Sequence, residues 1–430
     1  MAAIHLLWRS RLRRDTLLLL ALQIFYRLSG VVLLAILSRY LPAGDIGVYF
    51  FALSFAEAFT FVATFRLNPV LLRRVAADPV QATTHFASIL GFRLVSGPLY
   101  LLCVSGAAVP LTGAAWRVVV FVAVCTLLEN LYFAFTHLFL ALRKVGYDVA
   151  IGMLVQVVFL AVFLLGMWQR PSLDVLLGAN LLRSLCLVGA AVFVTHRWLC
   201  PLRIAWDSSL VRAGAPFTLL TLFAMLRDKL DTLLLGFFTD YNSVGHYALA
   251  FRVVSTSLFG PMAVGQACFP QLAAHGLSAE NRRLLVRGAK GLLGLGLLGM
   301  SVVFLGAVPL TAILYGAPAV DTITPLLRPL TLLFPLSFLQ LFLSSALQAL
   351  HQETKALGAA AISTGVSLLA NCTLIPFWGA YGVVAVRVLS TLLELAVLVW
   401  QVRRLWLRTT PLGAQRLASA DLSLPTTGLE

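Results

Sequence analysis

Long apolar runs, separated by short polar and basic segments, follow one another along this chain of 430 residues. Each run is close to the 20 residues that an α-helix needs to cross the hydrocarbon core of a bilayer. We therefore predict an all-α integral membrane protein with twelve transmembrane helices, and the boundaries around 309–325 are the least distinct. The predicted spans are 15–41, 44–67, 84–108, 114–139, 147–168, 172–195, 213–238, 242–267, 285–308, 322–349, 354–376 and 380–402.

The distribution of lysine and arginine supports this count and orients the chain. With a cytoplasmic N-terminus, twenty-one of the 32 basic residues fall in inner loops and only three fall in outer loops. This is the bias that the positive-inside rule requires, and one helix more or fewer would reverse it in every later loop. We therefore expect both termini to be cytoplasmic. The first apolar run is too long for a secretory signal, so it is interpreted as a retained helix.

Composition excludes several other classes of protein. Hydrophobic residues make up 60% of the chain, charged residues only 11%, and the mean hydropathy is +0.93. A soluble protein of this length needs more charge at its surface. The net charge of +15 comes from short basic groups in the predicted loops, so no nucleic-acid partner is expected. The dispersed cysteines and histidines lack metal-ligand spacing, so neither a metal nor another cofactor is expected.

A short internal repeat predicts two related halves. ILSRYLPAGDIGVYFFAL (36–53) aligns without gaps with LLGFFTDYNSVGHYALAF (234–251), and this pairs Gly47 with Gly245 and Tyr49 with Tyr247. Both copies lie at the outer turn between the first and second helices of a set of six. Repeats separated by six spans have the same orientation and are related by an axis along the membrane normal.

The predicted organisation is therefore two six-helix lobes, residues 1–195 and 213–408. Residues 196–212 alternate bulky apolar with charged positions, which suits an interfacial connector on the cytoplasmic face, although a plain loop remains an alternative. The polar segment 409–430 is expected to be a disordered cytoplasmic tail.

Charged residues inside the predicted spans are the candidate functional residues. A charge at the bilayer centre costs about 2.5–3.5 kcal/mol, so it normally faces a partner or an aqueous cavity. Basic residues outnumber acids, which predicts a cavity with net positive charge. The basic residues are Arg27, Arg93, Arg183, Arg227, Lys229, Arg252, Arg328 and Arg387, and the acids are Glu57, Glu129, Asp228, Asp231 and Glu394.

Arginine is the side chain best suited to hold phosphate at this depth, because its guanidinium binds oxygens bidentately and stays charged when desolvated. The candidate phosphate ligands are Arg27, Arg93, Arg183, Arg227 and Arg252, most of them about 14–18 Å into their spans at 1.5 Å per residue. The acids Asp228, Asp231, Glu129 and Glu394 are interpreted either as ion-coupling groups or as structural partners. For each arginine, a structural ion pair or a snorkelling side chain is the alternative.

Two segments resemble a known superfamily of transporters. The repeat copy at 36–53, and RDKLDTLLLGFFTDYNSVGHYALAFRVV (227–254) followed by ACFPQLAAH (267–275), are similar to polysaccharide-export proteins of the multidrug/oligosaccharidyl-lipid/polysaccharide (MOP) superfamily. The matching positions include Asp231, Gly245 and Tyr247. The resemblance is to Wzx-type O-antigen flippases, and it covers about residues 15–405.

This resemblance implies two lobes arranged as a V, alternating access, and an undecaprenyl-pyrophosphate-linked oligosaccharide as cargo in the bacterial cytoplasmic (inner) membrane. Lipopolysaccharide O-antigen, capsule and exopolysaccharide are all compatible with it, and other polysaccharide assembly proteins are possible partners. A multidrug (MATE-type) exporter and a lipid II flippase are the alternatives on the same fold. An enzyme is not expected, because the outer loops are short and poor in catalytic side chains. The coupling ion and the oligomeric state stay open.

Overall fold

A computed structural model describes residues 2–65, 67–207, 229–258, 278–350 and 352–408, with a few single positions between these ranges. The described residues form helices and turns and contain no β-strand. The expectation of an all-α fold is therefore confirmed. The tail at 409–430, most of the seventh span and the end of the eighth span lie outside the described residues.

The long helices of the first half follow the predicted spans, but the second span is divided into two helices and a further helix, Leu67–Ala77, lies in the predicted inner loop after it. The helix that begins at Leu173 continues beyond Val194 as a short π-helical turn, Thr195–Leu199. The helices are α1 (Ala2–Tyr40), α2 (Ala43–Ala58), α3 (Thr60–Thr64), α4 (Leu67–Ala77), α5 (Ala82–Leu111), α6 (Trp116–Ala141), α7 (Val145–Gln169) and α8 (Leu173–Val194).

The second half begins with helix α9, described over 229–238. The last long helix is interrupted at Gly379, whose φ of 54° and ψ of −130° are readily accessible only to glycine. Its two parts correspond to the predicted eleventh and twelfth spans. The remaining helices are α10 (Tyr241–Ser257), α11 (Ala279–Leu305), α12 (Ala307–Tyr315), α13 (Val320–Leu330), α14 (Leu333–Ala349) and α15 (Glu353–Arg408).

Among the described residues, seven helices are long and apolar enough to cross a membrane, or eight if a bent pair counts as one span. The bent pair is α13 and α14, which meet at 43°. The 53-residue stretch Thr354–Trp406 counts as one of the seven, although it contains the break at Gly379. The chain is thus a multi-pass membrane protein, and the number twelve stays a prediction.

The second predicted span is broken where the sequence shows neither glycine nor proline. Phe59 and Phe65 interrupt it, and Phe65 has a left-handed φ of 44°. Breaks inside a membrane expose backbone carbonyls that must find donors within the protein. Helix α5 supplies them: Tyr100 donates its hydroxyl to the carbonyl of Ala56 at 3.0 Å. The break is therefore held by the neighbouring span.

The chain forms two compact units, residues 1–249 with 312–319 and residues 250–311 with 320–430. In the first unit, α4 to α8 enclose an apolar core, and each of these helices contributes to it. One example from each helix, in order, is Leu71, Phe86, Phe135, Val155 and Leu187. This core fixes the positions of the polar side chains that the same helices carry.

The internal repeat is visible as a contact within the first unit. A Cβ built on Gly47 would lie 1.7 Å from the carbonyl oxygen of Tyr241, and one built on Gly245 would lie 2.1 Å from the carbonyl oxygen of Ala43. In the repeat alignment, Gly47 pairs with Gly245, and Ala43 pairs with Tyr241. The contact of Gly47 with Tyr241 is therefore the repeat equivalent of the contact of Gly245 with Ala43. The two helix starts therefore pack against each other as a pseudo-symmetric pair that requires glycine at both positions.

The predicted connector lies on α5 as far as the structure describes it. The amide of Ala205 donates to the carbonyl of Ala87 at 3.1 Å, and the ring of Trp206 stacks on Phe92 at 6.3 Å. A Cβ on Gly91 would lie 1.9 Å from the carbonyl oxygen of Ala205, so the glycine permits this close approach. The segment is thus attached to the first unit by both backbone and side-chain contacts.

A carboxylate fastens the far end of this segment. Asp207 accepts hydrogen bonds from the side chain and the amide of Ser209, both at 2.8 Å, and pairs with Arg74 at 3.2 Å. The hydrogen bonds from Ser209, followed by Arg74, hold the pKa of Asp207 below its usual value. The anchor is therefore formed by the ionised carboxylate.

Candidate functional site

Most of the candidate residues can be located in the structure, but not all. Arg227 and Asp228 lie outside the described residues. The candidates in the first unit are Arg27, Arg93, Arg183, Glu129 and Asp231, and those in the second unit are Arg252 and Glu394. Each unit is described by itself below.

Arg183 on α8 forms the centre of a polar network inside the first unit. Its Nη1 donates to Oε1 of Glu129 on α6 at 2.5 Å, and its Nε donates to Oε1 of Gln156 on α7 at 3.0 Å. A longer bond of 3.4 Å joins Nη1 to Asn180. Nη2 takes part in none of these bonds, and about a fifth of the side chain is exposed. The guanidinium is therefore oriented by its neighbours while one edge stays available.

The network extends to a fourth helix and is completed by an aromatic ring. Gln156 donates its amide to the hydroxyl of Ser29 on α1 at 2.9 Å. The ring of Phe159 lies 5.6 Å from Cζ of Arg183, within range of a cation–π contact. Because α1, α6, α7 and α8 all contribute, the position of this guanidinium depends on the packing of the whole helix group. Periodicity places Arg183 in a span, but it could not identify Gln156, Asn180 and Ser29 as its companions.

Arg93 on α5 has a different environment. It is 6% exposed, and its Nη1 donates to the carbonyl of Ala63 at 2.6 Å, while Nη2 donates to Oδ1 of Asn68 at 3.0 Å. Ser96 donates to the same carbonyl at 3.0 Å. Ala63 is at the end of α3, next to the break at Phe65. The geometry is that of a cation that closes a broken helix end, and Arg93 is not part of the Arg183 network.

Arg27 lies half-buried on α1, two residues before Ser29. Its position on the same helix as Ser29 puts it near the network in sequence. In the second unit, Arg252 on α10 is half-buried, and Glu394 on α15 is buried at 4% exposure. Arg387 shares α15 with Glu394 and lies over the ring of Phe251 at 5.2 Å. The second unit thus has its own set of intramembrane charged groups.

In the charged stretch at 229–231, the side chains of Asp231 and Lys229 each contact a residue of another helix. Asp231 is 3% exposed, and its Oδ2 accepts the hydroxyl proton of Tyr247 on α10 at 3.2 Å. Lys229 forms an ion pair with Glu57 of α2, and both side chains are about one third exposed. Sequence reasoning missed this second contact, because four predicted spans lie between Glu57 and Lys229 in the chain. The Asp231–Tyr247 bond joins two residues that the family resemblance singles out.

Pairing therefore accounts for part of the positive excess that the sequence predicts. Arg183 and Lys229 each have an acidic partner. Nη1 and Nη2 of Arg93 donate to a backbone and an amide oxygen, whereas its buried Nε has no hydrogen-bond partner among the described residues. Arg183 and Lys229 both stay partly exposed, whereas Arg93 is buried. Of these three, only Arg183 combines partial exposure with the planar guanidinium that binds oxygens bidentately and a network that orients it. In the described residues, His, Cys, Asp and Glu form no group of three that could hold a metal ion.

The described helices, several of them long and apolar enough to cross a membrane, define the fold of a polytopic membrane protein. The chain is similar to lipid II flippase MurJ in an inward closed conformation, with a TM-score of 0.72, 11% identity, and coverage of 89% of this chain and 87% of that one. It is similar to an inward-facing MATE multidrug transporter of the MOP superfamily, with a TM-score of 0.67, 12% identity, and coverage of 92% and 96%. The chain therefore has the fold of MOP superfamily transporters.

A family model described as polysaccharide biosynthesis protein matches residues 12–275, and the chain belongs to this family. The resemblance noted in the sequence is thereby confirmed. Probable flippase AglR of Haloferax volcanii is 31% identical over 172 residues, which are 37% of this chain and 35% of that protein. The match spans about a third of the length of this relative.

Proposed function

We propose that this protein is a flippase that moves an anionic polyprenyl-pyrophosphate-linked oligosaccharide across the cytoplasmic membrane by alternating access. Membership of the polysaccharide biosynthesis family supports this proposal, as does the partial similarity to a probable flippase. The cargo has an apolar tail, a charged pyrophosphate and a polar glycan. Only the charged and polar part must be shielded from lipid during transfer.

The observation that carries the proposal is the guanidinium of Arg183. Holding a cation at membrane depth is costly, and a single structural ion pair needs neither four helices nor an exposed edge. Gln156 and Glu129 fix two of its nitrogens, and this leaves Nη2 oriented for a further oxygen. Charge-assisted bonds to phosphate are about twice as strong as neutral ones, and preorganisation lowers the entropy lost on binding. Arg27, Arg227 and Arg252 are proposed as further phosphate contacts.

Glu129 is proposed to compete with the cargo for Arg183. Glu129 holds Nη1, so a phosphate would have to displace this carboxylate to bind the same nitrogen. This competition is the point at which we propose that ion coupling acts on cargo binding. Asp228, Asp231 and Glu394 are the other acids proposed for ion coupling or structural pairing.

We further propose that the functional halves are the lobes 1–195 and 213–408, with both termini cytoplasmic and an undecaprenyl carrier in the bacterial inner membrane. The charge bias of the loops supports this orientation. A MATE-type exporter of organic cations is disfavoured, because an accessible guanidinium would repel such a substrate. A transporter also needs none of the catalytic side chains that a membrane glycosyltransferase requires.

The test is complementation of strains that lack defined flippases, with the accumulated lipid-linked intermediate identified by mass spectrometry. The Arg183→Ala variant should lower export at least tenfold at unchanged membrane level, since a charge-assisted bond contributes about 1.5–3 kcal/mol. Arg170→Ala removes an exposed outer arginine and serves as the matched control.

Two results would contradict the proposal. One is normal export by Arg183→Ala in a rescued strain. The other is rescue of a dye-efflux strain while every flippase-deficient strain stays unrescued, which would identify an exporter instead. Arg183→Lys keeps the charge but loses the planar fork, so partial rescue by lysine would show that charge alone suffices.

A further inference from the structure

A cavity of about 470 Å³ lies in the second unit, between the start of α11 and the end of α15. This volume is within the range of small-molecule sites. Its lining combines basic groups with two apolar side chains, and it is far in sequence from the Arg183 network, in the other unit. The lining residues are Arg282, Arg283, Val286, Arg287, Lys290 and Trp406.

The basic residues are arranged on one helix face. Arg283, Arg287 and Lys290 follow the spacing i, i+4, i+7, which puts them in one row about 10 Å long at 1.5 Å per residue. All three are exposed, and none forms an ion pair in the part of the chain that the structure describes. The row therefore presents positive charge to its surroundings.

Without a bound anion, this row of basic residues destabilises helix α11. Like charges four residues apart destabilise a helix, and cations near its N-terminus oppose the macrodipole. Glu280 is the single acid within α11. An anion bridging the row would offset both effects at once, which is the electrostatic reason to expect a negative ligand.

An aromatic and an aliphatic side chain complete the lining of the cavity, and they indicate which kind of anion it would bind. Cζ of Arg282 lies 5.4 Å from the ring centroid of Trp406, and Val286 adds an apolar surface next to the row. Tryptophan is enriched at the membrane–water interface, where head groups meet acyl chains. A soluble anion would gain nothing from this apolar side, whereas a lipid would use both parts.

We propose that this cavity binds the phosphate head group of an anionic membrane lipid, in the leaflet that the charge bias assigns to the cytoplasm. Basic pockets between membrane helices bind anionic head groups by this combination of charge and depth. The proposal is independent of the transported cargo. It adds a second site for a phosphate-bearing ligand that is not moved across the membrane.

The experiment measures thermal unfolding of the purified full chain in a neutral detergent, followed by its intrinsic tryptophan fluorescence. Phosphatidylglycerol or cardiolipin should raise the melting temperature in a saturable way, and phosphatidylcholine should not. Inorganic pyrophosphate is the soluble-anion arm. A shift with pyrophosphate but none with phosphatidylglycerol would overturn the lipid assignment, and equal shifts with phosphatidylglycerol and phosphatidylcholine would also overturn it.

The double variant Arg283→Gln, Arg287→Gln assigns the effect to the cavity. Each basic residue near an anionic surface contributes about fivefold in affinity, so the apparent affinity for phosphatidylglycerol should fall roughly 30-fold. The control Lys144→Gln, Arg197→Gln removes the same charge from exposed positions in the first unit, and it should keep the wild-type response. An unchanged response in the cavity variant would refute the site.

If the glutamine variant does not fold, Arg283→Lys, Arg287→Lys keeps the charge and removes the planar guanidinium forks. It should weaken phosphatidylglycerol binding less than glutamine would, by about fivefold or less, because charge carries most of the interaction. A complete loss of the lipid-induced shift in a folded lysine variant would contradict this electrostatic origin.

Discussion

Replacing Gly47 with alanine should separate the two helix starts of the repeat. The new Cβ would lie 1.7 Å from the carbonyl oxygen of Tyr241, whereas Cβ contacts under 3.0 Å are essentially not found. Both groups belong to backbones, so no side chain can rotate away, and the helices must move apart by more than an ångström. Overpacking lowers the free energy of unfolding by about 1–3 kcal/mol. Replacing glycine with alanine inside a helix raises it by about 0.5–1 kcal/mol. Because the overlap is between two backbones, we take the upper end of the overpacking range and expect a net loss of about 2 kcal/mol in the free energy of unfolding.

The assay is thermal unfolding of the purified protein in detergent. A loss of this size should lower the melting temperature by about 4–8 °C on the scale of domains of 150–250 residues. Gly245→Ala should behave similarly, and the double variant should cost less than the sum, because one separation relieves both contacts. Gly106→Ala on α5 is the control, since its Cβ would meet nothing within 4 Å. If Gly47→Ala unfolds at the temperature of this control, the close contact between the repeats does not exist.

Two further predictions concern anchoring rather than transport. Arg93→Met should lower the melting temperature and the membrane level, because Asn68 and the carbonyl of Ala63 lose a donor that contributes about 1.5–3 kcal/mol. Wild-type stability combined with lost transport would instead make Arg93 a cargo ligand. The pKa of Asp207 is depressed in the folded protein. The contacts of the Asp207 carboxylate therefore stabilise the segment fully above the ordinary aspartate pKa of about 3.9. This stabilisation is lost as the pH falls through the lower pKa that Asp207 has in the folded protein. Protease cleavage near Arg203 should increase below pH 4 in wild type and already at neutral pH in Asp207→Asn; pH-independent cleavage would contradict the anchor.

Sequence patterns predicted the features that depend on local properties. Apolar runs of membrane length indicated an all-helical membrane protein, and the motifs around 36–53 and 227–254 indicated the MOP superfamily. The family match and the fold similarity confirm both predictions. The gapless repeat also paired Gly47 with Gly245, but it could not show that the two copies touch each other. Contact between repeats depends on how helices are placed in three dimensions, and periodicity carries no such information.

The environments of the arginines were beyond the reach of sequence. Arg93 and Arg183 each stand in an apolar span, so composition treats them alike. In the structure, the first closes a helix end and the second forms a network with an accessible edge. The difference arises because a break at Phe65 offers a free carbonyl near Arg93, and no glycine or proline marks that break.

The break in the second span has a consequence for the order of biosynthesis. Ala63 and Arg93 are 30 residues apart, so the acceptor is synthesised before its donor. Until then the freed carbonyls must stay in contact with water or the insertion machinery. We therefore expect the second and third spans to enter the bilayer together, as a hairpin released in one step.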